Sequence, residues 1–254
     1  MRFGFNDTFQ DSLSKLDNEQ QQQVKSAMFD LQTGPPPAKF DFKKLRGQEF
    51  WSGRISRGIR MIMHRDDDLA MALYVGPRNK AHTWAKNHRF REHPETNTMQ
   101  LFSVEHVTER VVHQEEVWIG PRLFERYDDQ YLHRLGVPEE LIPSVKQATE
   151  EDLPQLIEDL PDDAMGRLIE LRDGKTVPVP KGFQGDPMEN PDTKRSFVTV
   201  QVKSELATAL DYPWAKWMVF LHPDQQELVG ASFSGPAKVS GPAGTGKTVL
   251  ALHR

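Results

Sequence analysis

Eight residues constrain this chain more than any other stretch. Gly241-Pro242-Ala243-Gly244-Thr245-Gly246-Lys247-Thr248 satisfies the spacing G-x-x-x-x-G-K-[ST] at every position. Glycines at 241, 244 and 246 let the backbone take conformations that a Cβ would penalise, so that successive N–H groups point inward at an anion. Lys247 adds a point charge aimed at the outer phosphates of a nucleotide, and the Thr248 hydroxyl is placed to ligand Mg²⁺. Ala237-Lys238-Val239-Ser240 reads as a short strand entering the loop, and 248–253 reads as the start of a helix. The partial positive charge of that helix N-terminus favours the same phosphate.

A second signal lies upstream, in Leu221-His222-Pro223-Asp224-Gln225. The Gln225 amide offers one donor and one acceptor, the pair that matches N6 and N7 of adenine. Leu221-x-x-x-Gln225 followed by Gly235-Pro236-Ala237-Lys238-Val239-Ser240-Gly241 and the glycine-rich loop resembles the opening of a UvrD/Rep-like superfamily-one DNA helicase. The resemblance implies ATP and Mg²⁺ as cofactors, with Gln225 on adenine and residues 241–248 around the phosphates. It also implies an ATP-dependent DNA helicase or translocase as the activity of the whole protein. Hydrolysis needs further groups: an acidic residue that holds the Mg²⁺ shell, one that positions water, and an arginine for transition-state charge. Residues 249–254 hold no acidic side chain, and neither Asp128-Asp129 nor Asp66-Asp67-Asp68 follows a suitable hydrophobic strand. The expectation is an amino-terminal portion of a longer ATPase that hydrolyses no ATP alone.

Composition narrows the setting. The chain has 254 residues, 37% of them hydrophobic and 27% charged, with no cysteine and hence no disulfide. It contains no apolar run of membrane-spanning length and no secretory signal at its start, so the expected location is the cytoplasm, with no membrane partner. The net charge of −5 hides an asymmetry. Residues 1–93 hold 16 Lys and Arg against 11 Asp and Glu, and residues 39–91 hold 13 against 5. Such a basic bias attracts nucleic-acid backbones.

Along the basic part, Leu13, Leu16, Val24, Met28 and Leu31 recur at helical spacing, which predicts helices over 9–16 and 18–32. Four apolar or alternating runs follow, 40–45, 50–55, 59–64 and 69–75, which read as strands, with Asp66-Asp67-Asp68 as a hairpin turn. Residues 82–90 read as a helix. That order, with Lys44-Leu45-Arg46-Gly47, Phe50-Trp51, Gly58-Ile59-Arg60-Met61-Ile62 and Val75-Gly76-Pro77-Arg78-Asn79-Lys80, resembles the RelE/ParE toxin fold over about residues 1–91. In that family one branch cleaves messenger RNA and the other acts on DNA gyrase. By position the resemblance carries phosphate-gripping roles to Arg60 and Arg78, and a basic strand position to Arg54. The family's terminal tyrosine falls at Trp84, whose indole can stack on a base but cannot exchange a proton. His82 is then the remaining titratable candidate. The expectation is a docking module more than a ribonuclease, with DNA as the first partner and RNA as the second. Whether an antitoxin-like protein binds is left open.

The remainder is read more coarsely. Residues 101–118 alternate like a hairpin or a strand added to the first sheet, and 138–172 hold short acidic helices punctuated by Pro138, Pro143, Pro154 and Pro161. The stretch 175–195, rich in Pro and Gly, reads as a flexible linker. Phe197-Val198-Thr199-Val200-Gln201-Val202 reads as a strand, and Trp214 to Leu221 as a dense apolar run. The fold class expected is α+β: a helical hairpin packed on an antiparallel sheet (1–93), a strand pair and acidic helical connector (94–174), the linker (175–195), and the start of an α/β P-loop NTPase domain (196–254). The alternative reading is a toxin-like module that binds or cleaves RNA and carries a non-functional P-loop.

Overall fold

The computed structural model describes residues 2–33, 38–66, 69–105, 121–200, 231 and 235. Gln225 and the loop 241–248 lie outside the described residues, as do Trp214 to Leu221 and 106–118. Two compact units share the described chain: residues within 1–42, 53–76 and 197–200 form one, and residues within 43–52 and 77–196 form the other.

The first unit begins with a strand that the helical reading of the amino terminus passes over. β1 (Arg2–Asn6) places Phe3 and Phe5 at full burial. Asn6 ends it and caps the next helix, its Oδ1 accepting the Phe9 N–H at 3.1 Å. Helix α1 (Asp7–Ser14) presents Phe9, Ser12 and Leu13 inward. Asp17 accepts the Gln20 N–H at 2.8 Å and opens helix α2 (Asn18–Thr33). Val24, Met28 and Leu31 of α2 join the same core. After a 3₁₀ turn at Ala38–Phe40 come β2 (Lys43–Lys44), β3 (Trp51–Arg54), β4 (Ile59–Arg65) and β5 (Leu69–Pro77). The expected strand over 40–45 is thus only two residues long.

β1 runs parallel to β5, with Arg2 opposite Leu69 and Phe5 opposite Ala72. The first unit's sheet is therefore mixed, where the sequence led us to expect an antiparallel one. The continuous burial of 69–73 fits a strand covered on both faces. Met61 and Met63 from β4, and Ala70, Ala72 and Val75 from β5, meet Phe3, Phe5 and Phe9 in one core. Each fully buried Phe contributes about 1.5–3 kcal/mol of transfer free energy. Ser12 ties α1 to the sheet, its Oγ accepting the Val75 N–H at 2.9 Å. The strand expected at 197–202 appears as β8 (Phe197–Val200), and it pairs antiparallel with β1.

The second unit holds β2 with the Trp51–Ser52 end of β3, Lys43 facing Ser52 and Lys44 facing Trp51. Helix α3 (Arg78–Asn87) starts four residues before the expected 82 and gives way at His88 to a strand. β6 (His88–Glu92) and β7 (Met99–Ser103) form a separate two-stranded antiparallel sheet, with Phe90 opposite Leu101. The alternation from 101 onward therefore belongs with β6 and not with the first sheet.

The acidic helices appear as a 3₁₀ turn at Glu139–Leu141, then α5 (Ile142–Gln147), α6 (Leu153–Asp159) and α7 (Asp162–Arg172), preceded by α4 (Asp129–Arg134). They do not form a solvated connector. Phe102, Phe124, Leu132, Val145, Leu156 and Leu168 belong to a buried cluster of their own. Beneath it lies a polar knot. Asp163 accepts from Gln100 Nε2 at 3.0 Å and from Arg167 Nη1 at 3.2 Å, while Arg167 Nη2 reaches Asp192 at 2.6 Å.

The segment 175–195, expected as a linker, is bonded along its length. Tyr131 donates to the Val177 carbonyl at 2.6 Å, Asn97 Nδ2 to those of Phe183 and Gly185, and Asn190 Nδ2 to those of Thr96 and Asn97. It closes with a 3₁₀ turn at Pro187–Glu189 and helix α8 (Pro191–Ser196).

Candidate nucleic-acid interface

Within the second unit, the positions of interest are built on α3. Ala81 and Ala85 are fully buried and fix which side of the helix faces inward. Arg78, His82 and Lys86 then follow at i, i+4 and i+8, about 6 Å of axial rise apart, along one flank. Arg78 and Lys86 are exposed and His82 is half-buried. The Oγ of Ser52, on β3, lies 3.5 Å from His82 Nε2. Lys43, exposed on β2, is the register partner of that same serine. Helix α3 has no acidic residue in its first turn, so nothing there neutralises Arg78.

Trp84 occupies a different role from the one the sequence allows it. Its ring stacks on His88, with centroids 4.2 Å apart and planes at 19°, and meets Phe50 at 5.7 Å. His88 is held by its Nδ1–H donating to the Trp84 carbonyl at 2.9 Å, and burial lowers its pKa below the ordinary histidine value. A nucleobase finds one face of the indole already taken by His88. The Phe90 N–H donates to Glu49 Oε2 at 3.3 Å.

The first unit carries the other two sequence-predicted arginines. Arg54 is exposed at the end of β3 and makes no side-chain hydrogen bond or ion pair among the described residues. Arg60, on β4, directs Nη1 at the carbonyls of Ser56 (3.1 Å) and Ile59 (3.0 Å), and so braces the 55–59 turn that joins β3 to β4. That turn is closed by the Ile55 N–H donating to the Ile59 carbonyl at 3.1 Å. Asp66 caps the next turn, its Oδ1 accepting the Leu69 N–H at 2.7 Å. The basic flank of α3 thus gathers Arg78 and His82 of the predicted set, whereas Arg54 and Arg60 belong to the first unit. Lys86 and Ser52 were not among the predicted site residues. The i, i+4, i+8 spacing from Arg78 was available in the sequence to find Lys86; only the packing of α3 beside β3 brings Ser52 to His82.

Among the described residues no group of three or more His, Cys, Asp or Glu is arranged to hold a metal ion, and no helix is long and apolar enough to cross a membrane. The Mg²⁺ expectation at Thr248 lies outside the described residues.

No protein-family model and no curated protein matches the chain. Partial structural likeness exists to solved toxins. One is YafQ from E. coli strain BL21(DE3), at 14% identity and a TM-score of 0.29, covering 31% of this chain and 94% of that one. Another is the RelB-RelE antitoxin–toxin complex of Methanococcus jannaschii, at 17% identity and a TM-score of 0.28, covering 32% and 95%. A third is the E. coli DinJ-YafQ toxin-antitoxin complex, at 15% identity and a TM-score of 0.28, covering 31% and 92%.

Proposed function

We propose that the α3 flank is a docking surface for a nucleic-acid backbone, single-stranded RNA in the first instance. One observation carries this reading: Arg78, His82 and Lys86 recur at one-turn spacing on a single flank, with the Ser52 hydroxyl beside His82 and no acidic residue in the first turn. Cations repeated along an axis suit a repeating polyanion, and each phosphate neutralised releases counterions. The surface binds without cleaving. Transesterification of RNA needs a group to take the 2′-OH proton and another to protonate the leaving oxygen. The flank offers one imidazole, His82, for two proton transfers, and Trp84 and His88 are stacked on each other.

The test is fluorescence anisotropy of a labelled single-stranded RNA with the 254-residue chain across a salt series. Arg78→Ala and Lys86→Ala are each expected to lower the slope of log K against log salt by about 0.7 and to weaken binding to every RNA sequence alike. Binding that both variants leave unchanged overturns the proposal. Cleavage of the RNA that disappears in His82→Ala would replace docking with a ribonuclease.

A second reading concerns another part of the same chain, and the glycine-rich loop favours it. We propose that 241–248, with Gln225, binds ATP·Mg²⁺, and that the whole protein is an ATP-dependent DNA helicase or translocase for which the first 200 residues supply a docking platform. A fluorescent ATP analogue should bind the chain and be displaced by ATP more effectively than by GTP. Lys247→Ala should abolish binding, and an analogue that the unaltered chain fails to bind sinks this reading without touching the first.

A further inference from the structure

The strand that completes the first unit's sheet comes from the far end of the described chain. β1 is paired on one side by β5 and on the other by Phe197–Val200, in the register Phe3 with Val200, Gly4 with Thr199, Phe5 with Val198 and Asn6 with Phe197. Phe3, Phe5 and Asn6 are 0–3% exposed, so the backbone N–H and C=O groups on this edge need a partner, and β8 is the one present. The fit is specific. A Cβ at Gly4 would fall 2.6 Å from the Val198 carbonyl oxygen and 2.7 Å from Met71 Cε, so only glycine at that position admits the incoming strand. Phe197 is buried, and Val198 packs against the core.

The two partners of β1 are held very differently. β5 is a nine-residue strand, buried along most of its length. Among the described residues β8 has four residues and ends the strand order of its sheet, and it leaves Val198 and Thr199 half-exposed. A short edge strand held by one ladder opens at lower free energy than a central strand held by two.

We propose that the outer edge of β1 is a strand-accepting site that the chain fills in cis with its own segment 197–200, as a clasp that opens without unfolding the first unit. Opening the clasp frees the edge of β1. The occupant is recognised by its backbone ladder and by the one aromatic and three β-branched side chains of Phe-Val-Thr-Val. This inference is independent of the docking surface on α3.

Two measurements on the 254-residue chain test it. In the unaltered protein, whichever of the Val198 and Thr199 amides donates to β1 should exchange at least tenfold faster than those of Met71 and Leu73. Equal rates would mean that β8 leaves only on global unfolding, and would overturn the clasp. Of Val198→Pro and Thr199→Pro, the one whose N–H faces β1 removes a donor from the β8 ladder, and the other acts through the fixed φ of the proline ring. Either variant should take up a labelled peptide of sequence 196–202 at least tenfold more tightly than the unaltered chain, and adding Gly4→Ala should abolish that uptake. Uptake equal in all chains, or none in a proline variant whose near-ultraviolet circular dichroism is native, also overturns the proposal. If both proline variants fail to fold, the exchange rates alone decide.

Discussion

The two units solve the problem of a unique core by opposite means. The first relies on large side chains drawn from distant positions: Phe3, Phe5 and Phe9 meet Met61 and Met63 across a sheet whose parallel pair, β1 and β5, is separated by more than sixty residues of chain. The second relies on Leu and Val from short helices close in sequence, and adds a half-buried polar knot of Asp163, Arg167, Gln100 and Asp192. Shape complementarity makes the first core specific. In the second, orientation comes from hydrogen bonds, because short helices with similar Leu and Val stripes have many nearly equivalent ways to pack.

That contrast breaks most sharply with Phe5→Ala. It removes a fully buried ring from the first core and should cost about 3–5 kcal/mol, read by denaturant unfolding with hydrogen exchange of the β5 amides as the reporter for that unit. If the β7 amides lose protection equally, the two cores do not stand apart energetically. Asp163→Ala should cost about 3 kcal/mol and act on the second unit, since it strips Arg167 of one of two carboxylates and leaves Gln100 and Thr98 short of an acceptor. Burial pushes the Asp163 carboxyl above its usual pKa, with Arg167 acting in the opposite direction. A loss below about 1 kcal/mol would show the knot to be ornamental.

A third effect depends on pH. His93 is buried, its Nδ1 accepts the N–H groups of Glu95 and Thr96, and its Nε2–H points at the Val137 carbonyl. Protonating Nδ1 would aim a positive donor at two donors. Burial is the larger cause, and His93 is depressed to about 4. With the folded value below the unfolded one, the unfolded chain takes up the proton first. Stability is therefore at its full level above about pH 6.5 and falls as pH drops toward 4, by up to about 3 kcal/mol. His93→Gln should flatten that slope in the second unit; an unchanged profile would assign the acid sensitivity elsewhere. The smallest effect belongs to the first unit, where Asn6→Ala removes the cap on α1 and should cost about 1 kcal/mol at any pH between 5 and 8. A pH-dependent loss there would blur the distinction between an apolar core and a polar one.

Local signals in the sequence mapped well onto local structure. The helix entries at Pro138, Thr149 and Pro161 are where helical turns begin, with Thr149 N–H and Oγ both donating to Asp152. The runs at 59–64 and 69–75 are strands, and Asp66 caps the turn between them. β1 was not legible, because five residues carrying two phenylalanines and flanked by Arg2 and Asn6 form too short a pattern, and the partner that makes them a strand lies at 69–72. The linker reading of 175–195 failed to foresee its bonds for a related reason. Pro and Gly there report backbone stiffness and turns, whereas the order comes from Asn97 and Asn190 side chains reaching across the 93–98 turn.

By itself the sequence determined what depends on spacing along the chain: the glycine and lysine pattern at 241–248 and the basic excess of 39–91. The tertiary structure alone decided what depends on meeting across it. Packing of a helix beside a strand set Ser52 next to His82, stacking locked Trp84 against His88, and the ladder from 197–200 closed the edge of β1. The physical reason is the range of the interactions. Turn chemistry and helix spacing act over a few residues, whereas sheet register and burial are settled by the free energy of the whole fold, to which residues nearly two hundred positions apart contribute together.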